Sequence, residues 1–257
     1  MRLHVHEFGP GAGRTVVALH GVTGSARGFQ RLADRLPDFR IVAPDLRGHG
    51  FSTKDPPWDL SAHLRDLRET LDAMGISRAP ILGFSFGGRI AVELLAADRS
   101  RVEKLVLLDP ALRLEPGRAA AAADALLLDT SFGSLEEAMA ARIASGLAPY
   151  APREHWERWS EQLVSGPDGR FRLPFARAAA IAIYSELATP PPPFDALRIP
   201  TLLIVGAESG LVTPKQLEGY RYELGDFLEV KSVRAKHQLI GDAADEVAAA
   251  IKVFLAQ

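Results

Sequence analysis

An alternation in the first 110 residues limits the fold more than any other feature. Four short runs, "TVVALHG" (15–21), "RIVAPDL" (40–46), "APILGF" (79–84) and "KLVLLDP" (104–110), are apolar almost without a break, with Gly, Asp or Pro at or near their ends. A strand wetted on one side alternates apolar with polar; an unbroken run suits a strand covered on both faces, as in a parallel sheet. Between these runs lie "SARGFQRLADRL" (25–36), "SAHLRDLRETLDAMG" (61–75) and "GGRIAVELLAADRS" (87–100). Their apolar residues recur three or four apart, the spacing of a helix with one buried stripe. Ser61 fits an N-cap and Gly75 a C-terminal stop. Strand alternating with helix predicts βαβ units, hence an α/β fold with a doubly wound, mostly parallel sheet.

The pattern changes after Pro110. Up to Phe194 no strand is evident, and "GRAAAAADALLLD", "SLEEAMAARIASG", "PREHWERWSEQLVSG" and "PFARAAAIAIYSELA" read as helices of high propensity. Pro190–Pro193 is a stiff extended connector. The strand pattern then returns in "RIPTLLIVG" (198–206) and "FLEVKSV" (227–233), and "ADEVAAAIKVFLAQ" closes the chain as a helix. The expectation is a sheet-forming core of residues 1–110 and 197–257, interrupted by a helical insertion of residues 111–196.

Composition narrows the chemistry. With 257 residues, 47% of them hydrophobic, the chain can bury a full core unaided. It has no cysteine, which excludes disulfides, thiol catalysis and thiolate zinc sites. The net charge of −2, without a basic block, gives no nucleic-acid footprint. No apolar run nears the roughly 20 residues of a membrane span, and "MRLHVHEFGPG" does not resemble a signal peptide. These features predict a cytoplasmic protein acting on a small-molecule substrate, with no metal or cofactor. No pattern fixes an oligomeric state.

"GFSFG" (83–87) joins an apolar strand to a helix and sets a polar serine at the junction. A Gly-x-Ser-x-Gly turn in that context lifts the hydroxyl clear of the sheet at a helix N-terminus, where a nucleophile works. A plain strand–helix turn is the bland alternative. Serine attacks only when a base takes its proton. Of the seven histidines, only His237 falls between the last strand and the last helix, at the sheet edge that Ser85 also reaches. His4 and His6 alternate along a strand and look structural; His63 and His155 look like surface. There is no HExxH pattern to suggest zinc. For the oxyanion, the amide of Phe86 is one expected donor and that of Val22, in the "HGVTGS" loop (20–25), the other, with His20 shaping the loop.

"HGVTGS", "DLRGHGFS" (45–52), "GFSFGG" (83–88) and "KHQLIGD" (236–242) resemble the α/β-hydrolase superfamily in order, spacing and strand context. The likeness covers the sheet-forming parts of the chain. It implies a Ser…acid…His triad, an inserted helical cap and loop-bracing roles for Asp45, Arg47 and His49. Ser85 sets the chain apart from branches with an aspartate nucleophile.

The acid departs from the pattern. The family's usual Gly-x-x-Asp-x-x-x-Pro is matched here by "VGAESGLVTP" (205–214), which puts Ser209 or Gly210 where the carboxylate belongs. Two candidates remain. Asp109, at the end of the strand after the nucleophile helix, is favoured because some dehalogenase-like members carry the acid there. Glu208, one residue out of register, is the alternative. Asp242 fits a cap for the last helix.

Phe29, Phe84, Trp156 and Trp159, with Phe171, Phe175 and Tyr184, suggest an apolar binding site; Arg172 and Arg177 could meet a substrate carboxylate. The reaction expected is hydrolysis of a small to medium ester, thioester or lactone through an acyl-enzyme. Two rivals stand. "GGRIA" (87–91) resembles a menaquinone-pathway lyase branch in which Arg89 meets an anion, so carbon–carbon hydrolysis or lyase chemistry is one. A non-catalytic ligand-binding receptor of the same fold is the other, supported by the missing carboxylate.

Overall fold

The computed structural model describes residues 1–128 and 130–257; the side chains of Asp195 and Ala196, and Asp129 at the end of the alanine-rich stretch, lie outside the description. The first half runs β1 (Val5–Phe8), β2 (Arg14–Leu19), α1 (Gln30–Ala33), β3 (Phe39–Pro44), α2 (Leu60–Ala73), β4 (Ala79–Phe84), α3 (Phe86–Ala97) and β5 (Val102–Leu108). Then come α4 (Pro116–Ala125), α5 (Leu135–Ala144), α6 (Arg153–Ser160), β6 (Val164–Ser165), β7 (Phe171–Arg172) and α7 (Arg177–Leu187). The chain ends with β8 (Thr201–Gly206), α8 (Pro214–Leu224), β9 (Leu228–Val233), α9 (Leu239–Asp242) and α10 (Ala244–Ala256).

Among the described residues, seven strands make one sheet in the order β1-β3-β2-β4-β5-β8-β9, and all neighbours pair parallel except β1 with β3. The apolar runs follow from this topology. In β2, Val17 and Leu19 enter one core while Val16 and Ala18 enter the other. In β5, Leu105 and Leu107 face the first and Val106 and Leu108 the second. The first face is covered by α2, α3 and α8 through Leu67, Leu71, Ile90, Leu94 and Leu224. The second is covered by the Phe29–Leu36 segment and α10 through Leu32, Val247, Ile251 and Phe254. Each such side chain contributes about 1.5–3 kcal/mol on burial.

The winding direction reverses between β2 and β4, which lie side by side although β3 intervenes in sequence. Their carboxyl ends diverge there and open a crevice. Above it, among the described residues, the segment between β5 and β8 contributes helices α4 to α7, paired α4 with α7 and α5 with α6. The segment is tied to the "DLRGHG" loop by backbone bonds from Gly50 to Pro174 (2.6 Å) and from Ala176 to Gly48 (2.7 Å).

Several local expectations are corrected. The segment after β5 is not strand-free: β6 and β7 form a small hairpin. The stretch 25–36 is a 3-10 turn, Ala26–Phe29, followed by the single turn α1, since Gly28 interrupts it and Pro37 follows. Asp59, not Ser61, caps α2 by accepting from the Ala62 amide at 2.9 Å. Gly75 does end α2, at φ +69°. Asp242 does not cap α10; its carboxylate accepts from the amides of Tyr150 (2.8 Å) and Lys236 (3.0 Å). His63 is buried, 1% exposed, edge-on to Phe86 at 5.3 Å, with both ring nitrogens unpartnered.

Candidate active site

Ser85 sits between β4 and α3 at φ +53°, ψ −118°, a region that costs a non-glycine residue about 1–3 kcal/mol. The packing holds it there. Its amide donates to Leu108 O (3.1 Å), and its carbonyl accepts from Gly88 (2.9 Å) and Ala111 (3.0 Å). A Cβ on Gly87 would stand 2.0 Å from Leu19 O, so only glycine lets α3 start this close to β2. Gly21 also passes close: its Cβ would lie 3.0 Å from Ser85 Cβ, which brings the Gly21–Val22 backbone beside the hydroxyl. Phe86 opens α3, where first-turn amides have no intrahelical acceptor.

His237, between β9 and α9, has Nε2 3.0 Å from Ser85 Oγ and Nδ1 2.7 Å from Asp109 Oδ2. A carboxylate is acceptor-only, so Nδ1 carries the proton and Nε2 is left as acceptor for the serine hydroxyl. Phe84 stacks on the imidazole at 4.9 Å. Asp109 follows β5 at φ +39°, fully buried, with its amide donating to Ile204 O at 2.8 Å. This bend ends the strand two residues before the expected Pro110 and turns the carboxylate toward the histidine. Ser209 Oγ donates to the same Oδ2, while Oδ1 has no partner. Glu208 is turned away, exposed, and accepts from Tyr150 Oη at 2.7 Å. Sequence reasoning dismissed Ser209 as non-acidic; it is the residue that supports the acid from the position where the pattern sought one.

The "HGVTGS" loop is fixed by buried histidines. Leu46 N–H donates to His20 Nε2 (2.9 Å), so His20 donates from Nδ1 to Gly21 O (2.8 Å). Burial, with His49 nearby, pushes the His20 pKa down to about 3, and the ring stays neutral. His49, likewise lowered by burial, contacts Val22 O at 2.5 Å. Asp45 accepts from the amides of Ala26 (2.8 Å) and Phe51 (3.0 Å), and Arg47 pairs with Asp66 at 2.6 Å. All three residues brace loops as expected. His4, His6 and Asp45 bring one ligand-type atom each to within 4.8 Å of one another at the sheet edge, the one place among the described residues where a cation could find three such donors.

Above the serine is a cavity of about 700 Å³. Phe29, Phe84, Val22, Trp156, Trp159 and Tyr184 line it; Phe171 and Phe175 do not. His155, expected on the surface, lines it too, and burial holds its pKa down to about 4. Arg172 pairs with Asp168 (2.7 Å), and neither it nor Arg177 reaches the cavity wall. Arg89 is also elsewhere. It is a buried residue of α3, donating to the carbonyls of Leu112 (2.7 Å), Thr189 (3.0 Å) and Pro190 (2.8 Å), with Glu93 at 2.8 Å.

The family model for the alpha/beta hydrolase fold matches residues 14–243. This chain belongs to the α/β-hydrolase family. It is 34% identical to lipase LipV of Mycobacterium tuberculosis over 253 residues, 97% of this chain and 96% of the relative. It is 28% identical to the 3-hydroxybutyrate-oligomer hydrolase of Cupriavidus necator over 230 residues, 82% of this chain and 78% of that one. A crystal structure of an α/β hydrolase from Novosphingobium aromaticivorans superposes with a TM-score of 0.82 at 27% identity, covering 99% of this chain and 93% of that one. The α/β-hydrolase described here is therefore an enzyme of the hydrolase class, and no helix among its described residues is long and apolar enough to cross a membrane.

Proposed function

We propose that this α/β-hydrolase is a serine hydrolase that cleaves a small to medium ester, thioester or lactone through an acyl-enzyme. The observation that carries this is the unbroken chain Ser85 Oγ–His237 Nε2, His237 Nδ1–Asp109 Oδ2 at 3.0 and 2.7 Å. Ser85 Oγ attacks the carbonyl carbon as His237 Nε2 takes its proton; Asp109 holds the ring in the needed tautomer and stabilises the imidazolium. The amides of Val22 and Phe86 receive the oxyanion. His237 returns the proton to the leaving alcohol or thiol, and water then releases the acid by the same steps in reverse order. Residues 111–196 act as a lid over the core of residues 1–110 and 197–257, screening the acyl-enzyme from bulk water. The lyase comparison loses its support with Arg89 committed to backbone carbonyls, and the receptor reading with a carboxylate beside His237.

Hydrolysis of p-nitrophenyl butyrate tests this. Wild type turns over; Ser85→Ala loses at least about ten-thousand-fold in kcat, and Asp109→Asn about a hundred- to ten-thousand-fold. Glu208→Gln stays within about twofold of wild type, because its carboxylate faces Tyr150. Activity that survives Ser85→Ala, or collapses in Glu208→Gln, overturns the assignment.

A further inference from the structure

The cavity wall is unbalanced in charge. Arg27, Arg31, Arg118, Arg142, Arg158 and Lys236 line it, against Glu208 as the lone carboxylate among the described lining residues. Most of these cations are occupied. Arg158 pairs with Asp34, Arg27 donates to Glu161 O at 3.1 Å, Arg31 to Ile240 O at 3.2 Å and Arg118 to Gly210 O at 3.3 Å. Lys236 Nζ has no such partner among the described residues, and neither has Arg142, on α5. Its guanidinium lies over the Trp159 ring at 5.4 Å and, among the described residues, has no carboxylate and no hydrogen-bond acceptor.

A ring face attracts the cation but leaves the guanidinium's five N–H donors unused. Burial acts on this group without any compensating charge and lowers its pKa, although an arginine stays protonated at neutral pH. His155, beside it in the wall, is neutral and offers no counter-charge. A half-buried cation in the cavity wall with unused in-plane donors is a site for a planar anion. The surrounding cations raise the local potential and draw anions in. Trp156, Leu114, Leu126 and Tyr184 give the wall an apolar stretch. A chain of methylenes between the reacting carbonyl and the anion suits that lining.

Building on the serine-hydrolase assignment, we propose that the substrate is a half-ester or thioester of a dicarboxylic acid, its free carboxylate held by Arg142 on the Trp159 ring while its ester carbonyl meets Ser85. The sequence offers Arg172 and Arg177 for a substrate carboxylate, but neither lines the cavity, and the proposal gives that role to Arg142.

The test compares p-nitrophenyl hydrogen adipate and suberate with their methyl-capped, neutral counterparts. Wild type favours the anionic ester by tenfold or more in kcat/KM, mainly through KM. In Arg142→Gln the ratio of anionic to neutral kcat/KM falls by tenfold or more; Arg142→Lys, which keeps the charge but loses the planar fork, lies between. Calorimetric binding of adipate to Ser85→Ala, with and without Arg142→Gln, reads the same site with no turnover. Adipate binding that vanishes with Arg142→Gln supports the anion site even if no ester is cleaved, an outcome that would sink only the hydrolase assignment. An unchanged ratio in Arg142→Gln and Arg142→Lys, both shown folded by circular dichroism, or equal adipate binding with and without Arg142, overturns the inference. Alkyl phosphate binding in place of adipate would reject the carboxylate.

Discussion

Ser209 and Asp109 show how one side chain can migrate between strand ends without loss of geometry. The acid stands at the end of β5, yet its Oδ2 touches both His237 Nδ1 and Ser209 Oγ, so the two strand ends converge on one point. An acid placed at either end reaches the imidazole. Asp109→Ser combined with Ser209→Asp therefore restores part of the turnover that Asp109→Ser alone removes, by about tenfold or more in kcat on p-nitrophenyl butyrate. No recovery in a folded double variant would mean that the β8 end points past the ring. Ser209→Ala alone lowers kcat several-fold with KM unchanged, since it removes one of the two donors on a buried carboxylate. At this scale the candidates were legible: Ser85 from its turn, His237 from its place after the last strand, and Asp109 from the end of the strand after the nucleophile helix, where the resemblance to dehalogenase-like members puts an acid. Arg142 was not, because a lone arginine in an alanine-rich helix looks like any solvated one. Only its place in the cavity wall, over a ring and without an acceptor, marks it.

Among the elements, the connections of the inserted segment matter more than its helices. The chain departs after β5 and returns before β8, and Arg89 binds both limbs: Leu112 O on the way out, Thr189 O and Pro190 O on the way back. The proline connector supplies carbonyls but no N–H donors of its own, so a cation from α3 is the group that can hold it. Arg89→Met keeps much of the apolar stem and removes every donor. It leaves the Leu112 carbonyl buried without its donor, and Glu93 and the Thr189 and Pro190 carbonyls part-buried, a loss of about 1–3 kcal/mol in urea unfolding. Limited proteolysis of the variant should cut first near residues 112–115 and 188–193. A stability within about 1 kcal/mol of wild type would show that the limbs are held by packing instead. The strands were legible here because burial on both faces leaves an uninterrupted apolar signature. The hairpin β6–β7 was not, since two-residue strands carry no period to read.

The molecule as a whole carries an acid sensitivity written in its histidines. His20 and His63 are held down to about 3 and His155 to about 4, in each case chiefly by burial, against 6.5 in an unfolded chain. Above pH 6.5 neither state takes up these protons, and stability is at its full value. Below it the unfolded chain binds protons that the folded chain refuses, so stability falls with falling pH until the folded pKa values are reached. Three such groups together cost about 4 kcal/mol between pH 7.5 and 5.5, a large part of the roughly 5–15 kcal/mol typical of a domain. The free energy of urea unfolding at those two values checks this. His63→Leu isolates one contribution: the ring is buried beside Phe86 with both nitrogens unpartnered, and it does not line the cavity. That variant should match or exceed wild type at pH 7.5, because an apolar side chain leaves no donor or acceptor unmet. Its loss on going to pH 5.5 should shrink by about 1.4 kcal/mol, the share of one histidine. An unchanged pH dependence in His63→Leu would mean that this histidine finds its proton in the folded state, with the buried site opening to water as the pH falls.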